Sequence, residues 1–175
     1  MKTLLLLATA LASLSFLDPA RGVLLSTDKA FAVLKQCSRT RFPDVSETWE
    51  PAAEQLPALE EALSDALRRG IEQYSWSGSY KPNVRNYYRQ YVGIVLNGKK
   101  VIYVNGFDDS YAVEIQHQPA EKRAARYLQG LPAAFRDSES WRWVPVVVCD
   151  GGPRYFGALY DPQTGTVVRF EFNGN

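Results

Sequence analysis

The sequence predicts an α+β fold, with N-terminal helices packed on one face of a twisted antiparallel sheet of about five or six strands. Three observations lead to this prediction. A leucine stripe between residues 56 and 71 indicates a long amphipathic helix. Two β-rich runs meet at Asn97-Gly98, a dipeptide typical of tight hairpins. Turn residues follow positions 149 and 160 and separate further β-rich runs. At 175 residues, 46% of them hydrophobic, the chain is predicted to form one domain over residues 21–175.

The first 20 residues have the pattern of a signal peptide. Lys2 precedes an apolar run from Leu4 to Ala12, and both Ala8-Thr9-Ala10 and Ala10-Leu11-Ala12 fit the small-x-small rule for cleavage. The run is too short to cross a bilayer comfortably, although an uncleaved anchor helix is the alternative. We therefore expect cleavage near Ala12, location in the periplasm or outside the cell, and no transmembrane span in the mature chain.

Two helices are expected before the hairpin. Residues 26–38 have apolar positions at spacings of three and four, with Ser26 or Thr27 as the N-cap, and this helix would carry Cys37 onto the sheet. Residues 38–47 are predicted as a loop around Pro43. The second helix begins at Pro51 or Pro57 and ends near Gly70. Its apolar stripe is Leu56, Leu59, Leu63, Leu67 and Ile71, with Glu60, Glu61, Asp65, Arg68 and Arg69 on the other faces.

The hairpin allows two registers. A two-residue loop would place Ile94 opposite Val101, whereas a four-residue loop would place Leu96 there. Both strands are apolar on both faces near the turn, which indicates a central position in the sheet. Gly93 interrupts the first strand, and either a bulge or a close backbone approach would explain it.

The remaining elements are shorter. We expect a strand at 111–115, a helix at 119–129, a strand at 141–149 that is bulged or at an edge from Pro145, and a strand at 154–160. The last strand, 166–172, alternates cleanly, so one of its faces should be wet. The expected inner face carries Val168, Phe170 and Phe172, and the outer face carries Val167, Arg169 and Glu171.

Cys37 and Cys149 are the two cysteines of the chain. In an oxidising compartment a pair without competitors is expected to form one disulfide, which would join the first helix to the sheet. Two separate buried thiols are the alternative.

The composition argues against several chemistries. The net charge is +1 with both signs dispersed, so no nucleic-acid partner is expected. The one histidine, His117, has polar flanks typical of a surface residue, and the chain has no Gly-x-Ser-x-Gly elbow and no phosphate-binding glycine loop. The adjacent acids Asp108 and Asp109 lack the alternate spacing of a calcium loop. We predict no catalytic residue, no metal site and no cofactor. Two carboxylates brought together across a cleft need no local motif, so a small envelope hydrolase is the alternative.

Residues 74–91 are rich in tyrosine, tryptophan and arginine, the residue types that anchor protein interfaces. The candidate binding residues are Trp76, Tyr80, Arg85, Tyr87 and Arg89. The alternative is that these aromatics cover the sheet and the arginines stack on them. The resulting hypothesis is an exported, non-enzymatic protein that binds a protein or another envelope macromolecule, as an inhibitor or an immunity-type protein does.

Several segments together carry a resemblance. They are Trp49-Glu50-Pro51, Tyr88-Arg89-Gln90-Tyr91-Val92-Gly93, Ile102-Tyr103-Val104-Asn105-Gly106-Phe107, Val148-Cys149-Asp150-Gly151-Gly152 and Phe172-Asn173-Gly174. With the signal peptide, the chain resembles small exported bacterial proteins of uncharacterised function. The resemblance implies a bacterial envelope location and brings no activity and no site residues.

Overall fold

The structure, a computed structural model, describes residues 18–74, 83–109 and 139–174. The helices are α1 (Ala30–Val33) and α2 (Leu56–Gln73), and the strands are β1 (Gly22–Leu24), β2 (Val45–Trp49), β3 (Tyr87–Leu96), β4 (Lys99–Asp108), β5 (Tyr155–Asp161) and β6 (Thr166–Phe172). The described strands form one mixed, mostly antiparallel sheet. The predicted α+β class is confirmed.

The sheet is organised around β3. The strand order is β1-β3-β4-β5-β6, and β2 shares the outer edge of β3 with β1. There β1 runs parallel to residues 89–91 and β2 antiparallel to residues 93–96. The loop predicted at 38–47 is therefore wrong from Val45 onward, because Pro43 restricts only its own backbone and that of the residue before it.

The hairpin has the two-residue loop. Ile94 pairs with Val101, and the turn residues Asn97 and Gly98 have φ values of 50° and 75°. Positive φ at both central positions is the requirement of a type I′ turn. At Gly93 the close approach is the correct alternative, since a Cβ there would lie 2.9 Å from the ring of Trp49.

Successive side chains of the sheet point to opposite faces, and the two faces are covered differently. The helix face carries Tyr91, Ile102 and Phe156 and packs against α2. On the other side Val92, Val101 and Leu159 pack against Ala30 and Val33 of α1. The two helices thus lie on opposite faces of the sheet, so the prediction that both lie on one face is wrong for α1. The first helix is also shorter than predicted, because a 3-10 turn at Thr27–Lys29 leads into only four α-helical residues.

Helix α2 is the long amphipathic helix that the leucine stripe predicts. Leu59, Leu63 and Leu67 are fully buried in the core of the helix face. Pro57 lies in its first turn, where a missing N–H costs nothing. Gly70 lies inside the helix rather than at its end. A Cβ at this position would lie 2.5 Å from the nearest ring carbon of Phe170, so the glycine lets the helix approach β6.

The strand predicted at 141–149 is wrong. After a 3-10 turn at Ser140–Arg142, residues 144–150 cross the sheet without joining it, and we call this segment the strap. Its backbone bonds to side chains that project from the sheet rather than to a neighbouring strand. The side of the sheet that the strap crosses is the strap face.

The disulfide between Cys37 and Cys149 is confirmed, with their Cα atoms 5.1 Å apart. Cys37 lies beyond the end of α1, and Cys149 lies in the strap. The bond therefore joins two irregular segments on the strap face, and the predicted tie between helix and sheet is wrong.

In the last strand a bulge changes the predicted alternation. Leu159 pairs with Arg169 and Tyr160 with Val167, so Val168 is the extra residue and is 57% exposed. Val167 takes the inner position that the sequence assigns to Val168, beside Phe170 and Phe172.

Several predicted features lie outside the described residues. They are the signal peptide up to residue 17, Trp76, Tyr80, the strand at 111–115, His117 and the helix at 119–129. Among the described helices, none is long and apolar enough to cross a membrane.

Candidate functional site

The predicted binding residues that the structure describes do not form one surface. Arg85 is exposed in a 3-10 turn before β3, whereas Tyr87 and Arg89 are completely buried. Burial removes Tyr87 and Arg89 from any surface contact, so their assignment to a binding surface is wrong. They lie on the helix face because β3 is a central strand with α2 packed over it.

Arg89 forms a buried ion pair with Glu60 of α2. Its Nη2 donates to Glu60 Oε2 at 2.6 Å and its Nε to Oε1 at 3.1 Å, while the hydroxyl of Tyr91 also donates to this carboxylate. Nη1 of Arg89 also donates to the carbonyl oxygen of Tyr87, and Nη2 to that of Asp18. Burial raises the pKa of Glu60, and the Arg89 guanidinium acts against that rise. Every group in this cluster has a partner, and the cluster joins α2, β3 and the start of the described chain.

The sequence contains a signal for this pair. Arg89 lies between Tyr87 and Tyr91 at the period of two that places all three on one face of a strand. Glu60 falls between Leu56 and Leu63 at spacings of four and three, which is the spacing of the buried stripe itself. Charged side chains are usually exposed, so the sequence alone favours a solvent-facing position for both residues. In the fold, the ion pair between them stabilises both charges inside the core.

An arginine–aromatic surface at one end of the strap face consists of Arg21, Tyr88, Arg142 and Trp143, with the buried ring of Trp141 beneath Arg142. The guanidinium of Arg21 is 4.7 Å from the ring centre of Tyr88, and that of Arg142 is 4.5 Å from the ring centre of Trp141. The two rings are 4.9 Å apart. Trp143, the next residue along the chain, is 47% exposed. Stacked cations of this kind are held in place by the rings beneath them.

Side-chain amides hold the strap on the sheet. Gln90 donates to the carbonyl oxygens of Trp141 at 2.6 Å and Val144 at 2.5 Å, and it accepts from the N–H of Val146 at 2.9 Å. Asn105 donates to the carbonyl oxygen of Val146 at 2.8 Å. These bonds satisfy backbone N–H and carbonyl groups of the strap, which has no neighbouring strand to pair with.

A polar cleft of about 570 Å³ opens beside the disulfide, where the strap meets the end of β6. Its lining residues are Cys37, Ser38, Arg39, Thr40, Asp150, Glu171, Phe172 and Gly174. Asp150, Gly151 and Gly152 have φ values of 65°, 88° and 59°, so the chain turns sharply at this point. The predicted turn after Cys149 is correct, and it leaves the Asp150 side chain in the wall of the cleft.

Arg39 is the buried cation of the cleft, with 7% of its surface exposed. Its Nη1 donates to Tyr103 Oη at 3.0 Å and to Asn105 Oδ1 at 2.8 Å, and its Nε donates to Asn173 Oδ1. All three partners are neutral. Burial raises the pKa of Tyr103, and the neighbouring guanidinium of Arg39 opposes that rise.

Two carboxylates share the cleft with Arg39. Asp150 Oδ1 accepts from the hydroxyl of Ser38 at 2.9 Å. Glu171 accepts from the backbone N–H of Thr40 at 3.1 Å and from its hydroxyl at 2.9 Å. The sequence does not predict that Arg39, Asp150 and Glu171 share a cleft, because no short-range pattern connects three segments so far apart in the chain. Within the described part of the chain, no group of three or more His, Cys, Asp or Glu side chains could hold a metal ion.

Comparison with known proteins identifies no relative, since no family model, no curated protein and no solved structure matches this chain.

Proposed function

We propose that the protein is an exported binding protein of the bacterial envelope, found in the periplasm or secreted, that contacts a protein partner through the arginine–aromatic surface. In this proposal it acts as an inhibitor or an immunity-type protein and not as an enzyme. The observation that carries the proposal is the exposed Trp143, which follows Arg142 in the chain, where Arg142 stacks on Trp141. Tryptophan and arginine are enriched at binding hot spots because each combines a large contact area with a polar group.

Export has separate support. The bond between Cys37 and Cys149 is of a kind that forms and persists in oxidising compartments. Cleavage after Ala12 would retain Asp18, whose carbonyl oxygen accepts a hydrogen bond from the buried Arg89. The leader sequence and the described fold are therefore compatible with one mature chain.

The test is a quantitative capture experiment with the mature, oxidised protein as bait and an envelope extract as the source of partners. Trp143→Ala should reduce capture of the main partner at least tenfold, because hot-spot truncations cost about 2 kcal/mol or more. Phe31→Ala is the matched control, since Phe31 is 51% exposed on α1 and does not belong to the arginine–aromatic surface. Unchanged capture by Trp143→Ala, or equal loss in both variants, would contradict the proposal.

A second candidate function, a hydrolase that uses two carboxylates, is favoured by one observation. Asp150 and Glu171 line the same cleft, as a carboxylate mechanism would need. Incubation of the mature protein with envelope polysaccharide would test it. Hydrolysis that disappears in both Asp150→Asn and Glu171→Gln would support this function over the first.

A further inference from the structure

The donors of Arg39 are only partly used. Arginine has five N–H donors, one on Nε and two on each terminal nitrogen. Asn173 takes the Nε donor, while Tyr103 and Asn105 take both donors of Nη1. This leaves the two donors of Nη2, which make no hydrogen bond to any residue in the described ranges. A buried guanidinium with unused donors is stabilised by water or by a ligand oxygen.

The charge of Arg39 is also unbalanced. None of the ion pairs within 4.0 Å among the described residues includes Arg39. Its three acceptors are two amides and a phenol, which stabilise a cation without neutralising it. The side chain is therefore a buried positive charge in the wall of a cleft, available to an anionic group.

The fold makes room for this side chain. At Gly157 of β5, an added Cβ would lie 3.0 Å from Arg39 Cδ and 3.1 Å from the hydroxyl of Tyr103. Arg39 thus lies against bare backbone, and residues on β4 and after β6 fix its guanidinium on two sides. A cation fixed in this way is preorganised for a ligand, because little further side-chain entropy is lost on binding.

Negative charge lines the same cleft without pairing with Arg39. Each oxygen of Glu171 accepts one hydrogen bond from Thr40, while Asp150 uses Oδ1 for Ser38 and leaves Oδ2 without a hydrogen bond to a described residue. Asn173 bridges the two residues, since its side-chain oxygen accepts from Arg39 and its side-chain nitrogen donates to the backbone carbonyl oxygen of Asp150 at 2.7 Å. One cleft therefore holds a positive group and a negative group that do not neutralise each other.

From this arrangement we propose that the cleft binds a small zwitterion, a molecule with a carboxylate and an ammonium group on the same carbon atom, as in an α-amino acid. The carboxylate would accept from Nη2 of Arg39, and the ammonium group would donate to Oδ2 of Asp150. The site shares no residue with the arginine–aromatic surface, so it extends the proposed function and does not depend on it.

The test is calorimetric titration of the mature, oxidised protein with glycine and L-alanine, with acetate and ethylammonium as single-charge probes. The zwitterions should bind saturably, and each single-charge probe should bind at least tenfold more weakly. Asp150→Asn should weaken zwitterion binding at least tenfold, since it removes the negative charge while asparagine tolerates the φ of 65° at this position.

Asp65→Asn is the control, because it removes the same charge from the exposed side of α2 and should leave binding unchanged. Acetate binding as tightly as glycine would overturn the proposal in favour of a simple anion site. Absence of saturable binding by either amino acid, or an unaffected Asp150→Asn variant with a normal unfolding transition, would also overturn it.

Discussion

The two faces of the sheet are closed by different kinds of contact. On the helix face, α2 buries leucine side chains against Tyr91, Ile102 and Phe156, with one ion pair inside the core. On the strap face the short helix α1 covers one part, and the rest is covered by an irregular segment held by amide side chains and a disulfide. A helix satisfies its own backbone groups and needs only an apolar stripe, whereas an irregular segment must obtain backbone partners from elsewhere. This is why the amides Gln90 and Asn105 occupy the centre of the strap face, whereas the helix face is apolar apart from the paired Arg89.

The largest effect that the comparison predicts comes from the disulfide. Replacing Cys37 and Cys149 together by serine frees a loop of 112 residues in the unfolded chain. The chain-entropy model gives a loss of about 5 kcal/mol in the free energy of unfolding for a loop of this length. Urea denaturation of the mature protein would measure it.

Amide hydrogen exchange would show which part of the structure is destabilised when the disulfide is removed. Without the disulfide the strap retains side-chain hydrogen bonds and the apolar contacts of Val146 and Val148, so the amides of these two residues should exchange faster relative to those of α2. Equally faster amide exchange in the strap and in α2, or a loss of less than 1 kcal/mol in the free energy of unfolding, would contradict the prediction that the disulfide mainly stabilises the strap face.

The second prediction concerns the ion pair of the helix face. Arg89→Met should cost about 4 kcal/mol, because it leaves the Glu60 carboxylate buried without a counter-charge. It also removes the donors to the carbonyl oxygens of Tyr87 and Asp18. Thermal or urea unfolding would measure the difference.

The double variant Glu60→Met with Arg89→Met should recover most of that loss, since two apolar side chains in a leucine-lined core avoid the desolvation of both charges. Arg68→Met is the control: Arg68 pairs with Glu72 at 3.0 Å on the exposed side of α2, and its loss should cost about 0.5 kcal/mol or less. A double variant as unstable as Arg89→Met alone would assign the loss to the carbonyl oxygens rather than to the charge.

The sequence predicts the helix face better than the strap face. The leucine stripe and the Asn97-Gly98 turn are local patterns, and both elements form as predicted. Residues 141–149 also have the composition of a strand, but a strand needs a partner with free backbone groups. Here the side chains of Gln36, Gln90 and Asn105 form hydrogen bonds with the backbone of the strap instead. These residues are far from the strap in the sequence, and no local pattern reveals such partners.

In the candidate site, too, only the features that come from local patterns could be predicted from the sequence. The cysteine pair could be predicted, because the chain has two cysteines and, in an oxidising compartment, neither has another cysteine to pair with. The aromatic stretch at 74–91 indicated a binding surface, yet in β3 the same residue types serve the core, as Tyr87 and Arg89 demonstrate. Arg39, Asp150 and Glu171 meet only through the tertiary fold, which brings the strap and the end of β6 together.

The smallest effect is expected from Gln90→Leu, which tests whether amide side chains hold the strap. The substitution keeps the size of the side chain but leaves the N–H of Val146 and the carbonyl oxygens of Trp141 and Val144 without their partner. Unsatisfied buried groups cost about 1–3 kcal/mol each, but the strap can move to meet water, so we expect a loss of about 2 kcal/mol. The amide of Val146 should exchange faster, while the α2 amides should keep their protection up to the new global limit. Gln163→Leu, in the exposed turn before β6, should change stability by about 0.5 kcal/mol or less. If Gln90→Leu is equally neutral, the disulfide and apolar contacts of the strap suffice to hold it, and the two faces differ less than their contacts indicate.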